Sequence, residues 1–178
     1  MLDKIKKYYL YFMMYAFIGW AYEIILEVFI YKWGYFDRGV LSGPYCPVYG
    51  FGAIAFLLTV NRFLKNKPLK KKLLLIPVIF ISTMAIATLI ELITSYLCEW
   101  TIGTWPWQTY HDYKYNFQGR IALSPSIRFG LGGVLFLYIL QPIFDKIVGK
   151  LNKKWLTIVS CSIASIFIGD IIYTFLIL

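Results

Sequence analysis

Two arginines in similar surroundings are the residues of this chain best suited to hold a ligand. Arg38 lies in FDRGVLSGP, residues 36–44, and Arg120 lies in FQGRIALSP, residues 117–125. In each segment the arginine stands beside a glycine, and an apolar Leu-Ser-(Gly)-Pro tail follows. A guanidinium group can form two parallel hydrogen bonds to a carboxylate or a phosphate. Two such segments predict one polar site built from two related halves of a membrane protein.

Carboxylates precede both arginines within apolar stretches. Glu23 and Glu27 come before the first segment, and Glu91 and Glu99 come before the second. An ionised carboxylate in hydrocarbon costs at least about 2.5 kcal/mol, so each must face inward, pair with a cation or bind a proton. We therefore expect an outward-facing polar pocket for a charged or polar solute. Its predicted substrate-binding residues are Arg38, Arg120, Glu23, Glu91, Glu99, Tyr49, Asn116 and Asp170.

A purely structural role for the same groups stays open. Arg–Glu pairs could lock two helical hairpins together and leave no room for a ligand. The glycines and prolines beside each arginine favour a ligand site, because such residues let backbone groups approach a bound molecule closely.

The elements that position these residues are apolar helices. Of 178 residues, 60% are hydrophobic, 20% aromatic and only 15% charged. A helix that crosses about 30 Å of hydrocarbon needs about 20 apolar residues. The chain is therefore predicted to be an all-α integral membrane protein with about five transmembrane helices. Their approximate ranges are 8–31, 48–64, 73–98, 127–144 and 155–178.

Lysines are concentrated at alternate helix ends, within residues 4–7, 62–72 and 146–154. This positive-inside pattern explains the net charge of +9 without a nucleic-acid partner. It predicts a multi-pass protein of the plasma membrane whose N-terminus is cytoplasmic. With five crossings, the loops at 32–47 and 99–126 and the C-terminus are extracellular.

The arginine segments also predict an internal repeat within a single membrane domain, residues 1–178. Repeat one covers about 8–64, repeat two covers about 73–144, and an extra helix at 155–178 follows. The first helix of each repeat runs outward, so the repeats are parallel and related by an axis along the membrane normal. The outer segments after the arginines are rich in Gly and Pro but apolar. They are predicted to re-enter the bilayer under a cover of protein.

The loop from Trp100 to Asn116 contains three tryptophans and three tyrosines. Such a cluster is typical of an aromatic belt at the level of the lipid headgroups. A lid that stacks on a ligand is the alternative, and both interpretations keep the loop at the outer face.

Cysteine and histidine positions argue against a metal centre. Cys46, Cys98, Cys161 and His111 show no metal-ligand spacing, so neither a metal nor another cofactor is expected. Cys46 and Cys98 are expected to be small buried thiols, with a disulfide near the outer face as the alternative.

Three stretches, FDRGVLSGPYCPVYGFGA, ELITSYLCEW and NFQGRIALS, resemble the bacterial membrane family of putative ABC-transporter type IV proteins, or CmpB-like ABC transporter permeases. The resemblance covers about residues 15–133. It implies a membrane transport component and leaves the cargo undefined. The family pattern has Asn, an acidic residue, Cys and Trp where this chain has Asp37, Gln108, Ala122 and Phe129.

Transport is the function that these observations favour, and two alternatives stay open. One is a membrane enzyme that acts on a lipid-linked phosphate at the outer leaflet, and the other is a small accessory or structural subunit. The chain has no nucleophile motif, metal triad or catalytic histidine to support catalysis. It also lacks a Gly-x-x-x-x-Gly-Lys phosphate loop, so any ATPase would be a separate partner. Five crossings are few for a permease, which predicts a second copy or another membrane subunit in the lipid bilayer.

Overall fold

Long helices dominate the structure, a computed structural model that describes residues 1–32, 34–35 and 41–176. This helical content confirms the predicted all-α membrane class. The α-helices are α1 (Leu2–Ile25), α2 (Pro47–Thr59), α3 (Asn61–Leu64), α4 (Leu69–Leu74), α5 (Ile76–Ile102), α6 (Leu123–Leu135), α7 (Gln141–Gly149) and α8 (Lys153–Leu176).

Shorter elements interrupt or connect these helices. A π-helical turn at Leu26–Tyr31 extends α1, and another at Phe136–Leu140 joins α6 to α7. Residues Gln108–Asp112 form a 3-10 helix in the loop after α5. A hairpin of two short antiparallel strands follows that loop. Its strands are β1 (Asn116–Phe117) and β2 (Ile121–Ala122), with Asn116 opposite Ala122 and Phe117 opposite Ile121.

Within the described residues, the segments long and apolar enough to cross a membrane are Leu2–Ile30, Ile76–Ile102, Leu123–Gly149 and Lys153–Leu176. The remaining predicted span corresponds to α2 followed by the single turn of α3. With 13 residues, α2 is about 20 Å long, which is less than the thickness of the hydrocarbon. The chain is thus a multi-pass membrane protein, while the five crossings and the paired repeats stay predictions.

The chain folds as two compact units, Met1–Phe51 with Ile143–Leu178, and Gly52–Pro142. In the first unit, α1 packs against α8. The buried centre of this unit consists of Met13, Ala16, Leu41 and Tyr45, and Tyr9, Phe12, Ile163 and Phe167 pack against it. The single membrane domain and the repeat boundaries predicted from the sequence stay predictions.

An irregular segment, residues 41–46, lies alongside the middle of α1 in the first unit. The backbone N–H of Cys46 donates to the carbonyl oxygen of Ala16 at 2.9 Å. Leu41, Tyr45 and Cys46 are buried. Ala16 lies about 21 Å along α1 from its first residue. Irregular backbone so far from the end of a spanning helix requires protein around it, and this burial provides it.

The corresponding segment of the second unit is regular helix, whereas an irregular stretch was expected, and re-entry of either segment into the bilayer stays a prediction. Leu123–Pro125 forms the first turn of α6, and Ala122 before it has extended backbone. Proline is tolerated in a first turn because the N–H that it lacks has no intrahelical partner there.

The three cysteines, all among the described residues, are free thiols. Cys46 is buried, Cys98 is half-buried and Cys161 is exposed. The disulfide considered as an alternative for Cys46 and Cys98 is therefore not formed.

Small residues bring α5 and α6 together in the second unit. Thr83 on α5 is fully buried, and its hydroxyl donates to the carbonyl oxygen of Gly130 at 3.3 Å. A Cβ atom at Gly133 would overlap the Thr83 side chain. One turn toward the start of α6, the Thr88 hydroxyl donates to the Ser126 hydroxyl at 2.7 Å. Close approach through small residues with interhelical hydrogen bonds is the usual way in which membrane helices associate.

The hairpin before α6 turns through two residues in the left-handed region of backbone conformation. Gln118 and Gly119 both have positive φ, 54° and 64°. The backbone N–H of Arg120 donates to the carbonyl oxygen of Phe117 at 2.9 Å, which closes the turn. A Cβ atom at Gly119 would overlap the imidazole ring of His111. Glycine is therefore required here both for its backbone conformation and for space.

Gly133→Val should destabilise the protein by about 1–3 kcal/mol, because the new side chain overpacks the contact with Thr83. Gly132→Val is the matched control, since nothing lies within 4 Å of a Cβ atom there. The measurement is thermal unfolding of both purified proteins in detergent. Equal melting temperatures for the two variants would contradict the close approach of α5 and α6.

Gly119→Ala should loosen the hairpin, because alanine must adopt left-handed backbone and its Cβ must displace His111. Gly103→Ala is the control: its φ is also positive, 76°, but nothing lies within 4 Å of a Cβ there. Both variants should lose about 1–2 kcal/mol through backbone strain, and Gly119→Ala should lose more. Limited proteolysis of the loop measures the difference, and adding His111→Ala should remove it. Identical cleavage of the two single variants would show that His111 does not crowd the turn.

Candidate functional site

Arg120 is buried against two aromatic rings in the second unit. Its guanidinium carbon is 4.1 Å from the centre of the Tyr96 ring and 4.0 Å from that of Trp105, and 7% of the residue is exposed. Its Nη2 donates to Oε2 of Glu99 at 2.5 Å. Among the described residues, its Nε and Nη1 atoms have no hydrogen-bond partner. We name Arg120, Glu99, Tyr96 and Trp105 the Arg120 cluster.

One face of α5 supplies the predicted acids of the second unit. Glu91, Ser95 and Glu99 follow one another at intervals of four residues and therefore share a face. Glu91 is buried, and its Oε1 accepts a hydrogen bond from the Tyr110 hydroxyl at 2.7 Å. The Glu99 side chain is 45% exposed. The face thus runs from a buried carboxyl to a half-exposed one that holds Arg120.

Indole groups of the loop after α5 fix the turn that carries Arg120. The Trp105 Nε1–H donates to the carbonyl oxygen of Gly119 at 3.1 Å. The Trp107 Nε1–H donates to the carbonyl oxygen of Arg120 itself at 2.8 Å. These aromatic side chains are structural partners of the cluster, whereas the belt and lid interpretations of the loop stay predictions.

In the first unit, Glu23 pairs with a tyrosine. The Tyr49 hydroxyl donates to Oε1 of Glu23. Gly19, one turn before Glu23, makes this pairing accessible, because a Cβ atom there would overlap the Tyr49 ring. Glu27, one turn after Glu23, is 2% exposed and lies in the π-helical turn. Such turns frequently occur at functional sites. The structure therefore brings together two of the predicted residues, Glu23 and Tyr49.

Asp170 on α8 holds the irregular segment of the first unit. Its Oδ1 accepts from the Ser42 N–H at 3.2 Å. Its Oδ2 accepts from the Gly43 N–H at 3.0 Å and from the Tyr45 hydroxyl at 2.6 Å. Hydrogen bonds to an ionised carboxylate are stronger than neutral ones. Asp170 therefore anchors residues 42–45 to α8. It accepts hydrogen bonds from the backbone N–H groups of Ser42 and Gly43, which belong to no helix or strand.

Asn116 braces the hairpin that follows the loop after α5. Its Nδ2 donates to the carbonyl oxygen of Tyr113 at 2.7 Å, and its Oδ1 accepts from the Gly119 N–H at 2.9 Å. The residue is exposed. These bonds connect it to the turn that carries Arg120.

Arg38, the counterpart of Arg120 in the sequence, lies outside the described residues. The pocket predicted from both repeats also requires residues of both compact units. It therefore stays a prediction, and the Arg120 cluster is the part of it that the structure documents.

Several residues that contact the predicted site residues carry no sequence signal for a ligand site. Tyr96 lies three residues before Glu99 on α5, so helical spacing alone places it beside that acid. The contacts of Trp105, Trp107 and Tyr110 depend on the path of the loop, which residue types do not specify. Tyrosine and tryptophan in an outer loop are equally expected to face lipid headgroups.

The cluster suits an anion and not a metal ion. In the parts of the chain that the structure describes, no three His, Cys, Asp or Glu side chains are grouped so that they could hold a metal. A guanidinium offers only donors, which bind carboxylate or phosphate oxygens.

Comparison with known proteins places the whole arrangement in a family. The sequence model described as "Putative ABC-transporter type IV" matches residues 10–175, which is nearly the whole chain and includes every predicted site residue. No curated protein and no solved structure matches the chain. The match confirms the resemblance carried by the three stretches given above. The chain therefore belongs to the putative ABC-transporter type IV family of membrane transport components.

Proposed function

We propose that the protein is a permease-like transport component whose Arg120 cluster binds an anionic group of its solute. Membership of the family supports the transport class, and the long apolar helices support a site within a membrane protein. The cluster adds a cation shielded from water. Electrostatic attraction is stronger there than in bulk solvent, because the local dielectric constant is lower.

The unused donors of Arg120 carry this proposal. An unsatisfied buried donor costs about 1–3 kcal/mol, and more when the group is charged. Arg120 has two such nitrogen atoms, Nε and Nη1, within the described part of the chain. A guanidinium that served only to pair with Glu99 would leave this cost in place. A carboxylate or phosphate group would supply the missing acceptors.

The surroundings of the guanidinium favour an approach to its nitrogen atoms. Tyr96 and Trp105 lie about as close to the central carbon as stacked groups can, at 4.1 and 4.0 Å. Such contacts fix the orientation of the guanidinium before a ligand arrives. Glu99 balances its charge, and the half-exposed Glu99 carboxylate can yield one nitrogen to a competing anion.

The proposal extends to the first repeat through a shared pattern. In each unit an acid of the first long helix accepts a hydrogen bond from a tyrosine hydroxyl, Glu23 from Tyr49 and Glu91 from Tyr110. Arg38 occupies in its segment the place that Arg120 has in the other. By this pattern we propose Arg38, Glu23 and Tyr49 as ligand-binding residues of the first half, and Asn116 and Asp170 as further candidates.

We place the Arg120 cluster on the extracellular side of a protein with five crossings. The lysine groups support this arrangement, since they lie at the start of α1, around α3 and α4, and between α7 and α8. With α2 and α3 as the second crossing, all three groups share the cytoplasmic side with the N-terminus, and the C-terminus is extracellular. Energy would come from an ATPase or another subunit in trans, and a homo-oligomer would supply more helices.

Arg120→Gln should abolish binding of the anionic solute while the protein stays folded. The measurement is the shift in unfolding temperature of detergent-purified protein against a panel of carboxylates, phosphate esters and neutral analogues. The control is Arg62→Gln, which removes an exposed cation of α3. An anion that stabilises the wild type should stabilise this control equally and bind Arg120→Gln at least about tenfold more weakly.

Two other results would contradict the proposal. If the same anion stabilised Arg120→Gln, the Arg120 cluster would not be part of the binding site. Turnover of a lipid-linked phosphate by the wild type, lost in Glu91→Gln, would favour the enzyme alternative. Arg38→Gln tests whether Arg38 contributes to the same site as Arg120. Loss of the same binding would support a shared pocket, and full retention would limit the site to Arg120.

Cysteine labelling should show Lys114 and Lys70 on opposite sides of the membrane. Lys114→Cys and Lys70→Cys are introduced separately into a variant without native cysteines, and intact cells receive a maleimide that cannot cross the membrane. Because the lysine pattern places only the Lys70 region inside, Lys114→Cys should be labelled at once and Lys70→Cys only after permeabilisation. The reverse result would invert the proposed orientation.

A further inference from the structure

A cleft with mainly apolar walls lies at the start of α6, apart from the Arg120 cluster, and two cations are among the residues that line it. It has a volume of about 320 Å³, and its lining residues with polar groups are Tyr113, Lys114, Tyr115, Ser124 and Arg128. No member of the Arg120 cluster and no acidic residue is among the described residues that line it. Two cations beside an apolar cleft, with no carboxylate among its described lining residues, attract an anionic group.

Protein contacts hold the arginine of this cleft in place. Nη2 of Arg128 donates to the Tyr113 hydroxyl at 2.8 Å and to the Ser124 hydroxyl at 3.2 Å. Its guanidinium carbon is 5.9 Å from the centre of the Tyr113 ring. Lys114, from the loop, stands over the Tyr115 ring at 5.4 Å. The cleft therefore combines a fixed guanidinium with an exposed, adjustable ammonium group.

An exposed apolar stripe continues from this cleft along α6. Leu123, Ile127, Leu131 and Leu135 recur every four residues, so they share one face of the helix. Their exposed fractions are 49%, 41%, 61% and 47%, and the first two also line the cleft. From Leu123 to Leu135 the stripe is about 18 Å long. One leaflet of hydrocarbon is about 15 Å thick.

We propose that the cleft and the stripe together bind one anionic phospholipid, with its phosphate between Arg128 and Lys114 and an acyl chain along the stripe. A soluble phosphate would use the two cations of the cleft but not its apolar wall or the stripe. A helix of another protein would cover the stripe without needing two cations at its end. A phospholipid has an anionic headgroup and apolar acyl chains. The headgroup matches the cations at the cleft, and a chain matches the stripe that continues from it.

The site differs from the proposed solute site in residues and in ligand. A lipid bound there would anchor the loop after α5 to one leaflet, because Tyr113 and Lys114 belong to the loop and Arg128 belongs to α6. Since Tyr113 also packs against Tyr110 with ring centres 5.6 Å apart, lipid would contact the same loop that surrounds Arg120.

The test is native mass spectrometry of the full chain with two lipids that differ only in the headgroup. Dioleoylphosphatidylglycerol should be retained in preference to dioleoylphosphatidylcholine. Arg128→Gln and Lys114→Gln should each weaken the binding of the anionic lipid about fivefold, and together roughly 30-fold. Lys150→Gln is the matched control, because it removes an exposed cation at the opposite end of the α6–α7 segment. Glycerol 3-phosphate, which has the phosphate without the chains, should bind far more weakly than the lipid.

Three outcomes would overturn the proposal. Equal retention of the two lipids would show that charge does not select the ligand. Glycerol 3-phosphate binding as tightly as the lipid would assign the cleft to a soluble phosphate. A dimer that forms at the expense of lipid, and that Leu131→Gln disrupts, would assign the stripe to a second copy of the chain. Should Arg128→Gln fail to fold, the exposed Lys114→Gln decides the question alone.

Discussion

Hydrocarbon offers no hydrogen bonds, so every polar group within a membrane-spanning part of this chain must be satisfied by protein. The first unit shows this constraint at residues 41–46, whose backbone groups bond to Ala16 on α1 and to the Asp170 carboxylate on α8. In the second unit the Tyr110 hydroxyl donates to the buried Glu91 carboxyl, and Thr83 bonds across to α6. The polar residues of the helices therefore determine which irregular segments can pack against them.

Length and hydropathy were sufficient to predict the fold class and the positions of the long helices. The predicted ranges 73–98 and 155–178 differ from Ile76–Ile102 and Lys153–Leu176 by only a few residues, because each is an unbroken apolar run. The second predicted span, 48–64, corresponds to two helices, α2 and α3, and Gly and Pro residues surround the start of α2. Hydrophobic patterns likewise contain no signal for a hairpin as short as β1 and β2, which depends on local turn conformation.

Charge in an apolar setting predicted that Arg120 and the carboxylates would face inward and pair, and Glu99 is the acid that Arg120 contacts. The aromatic partners could not be predicted, because a tryptophan such as Trp105 is equally expected to face lipid or to stack on a cation. Asp170 and Asn116 were predicted as nearby members of the same pocket. The structure separates them, since Asp170 and Asn116 bond to backbone groups of neighbouring loops whereas Arg120 keeps donors unused among the described residues.

The division of the chain into units has a consequence for biosynthesis. The residues of the second unit, Gly52–Pro142, are contiguous, whereas the first unit combines Met1–Phe51 with Ile143–Leu178. Nascent chains fold from the N-terminus as the ribosome extends them. The second unit can therefore close during translation, but residues 42–45 must wait for Asp170 to emerge. The arrival of α8 is therefore the step that completes the first unit.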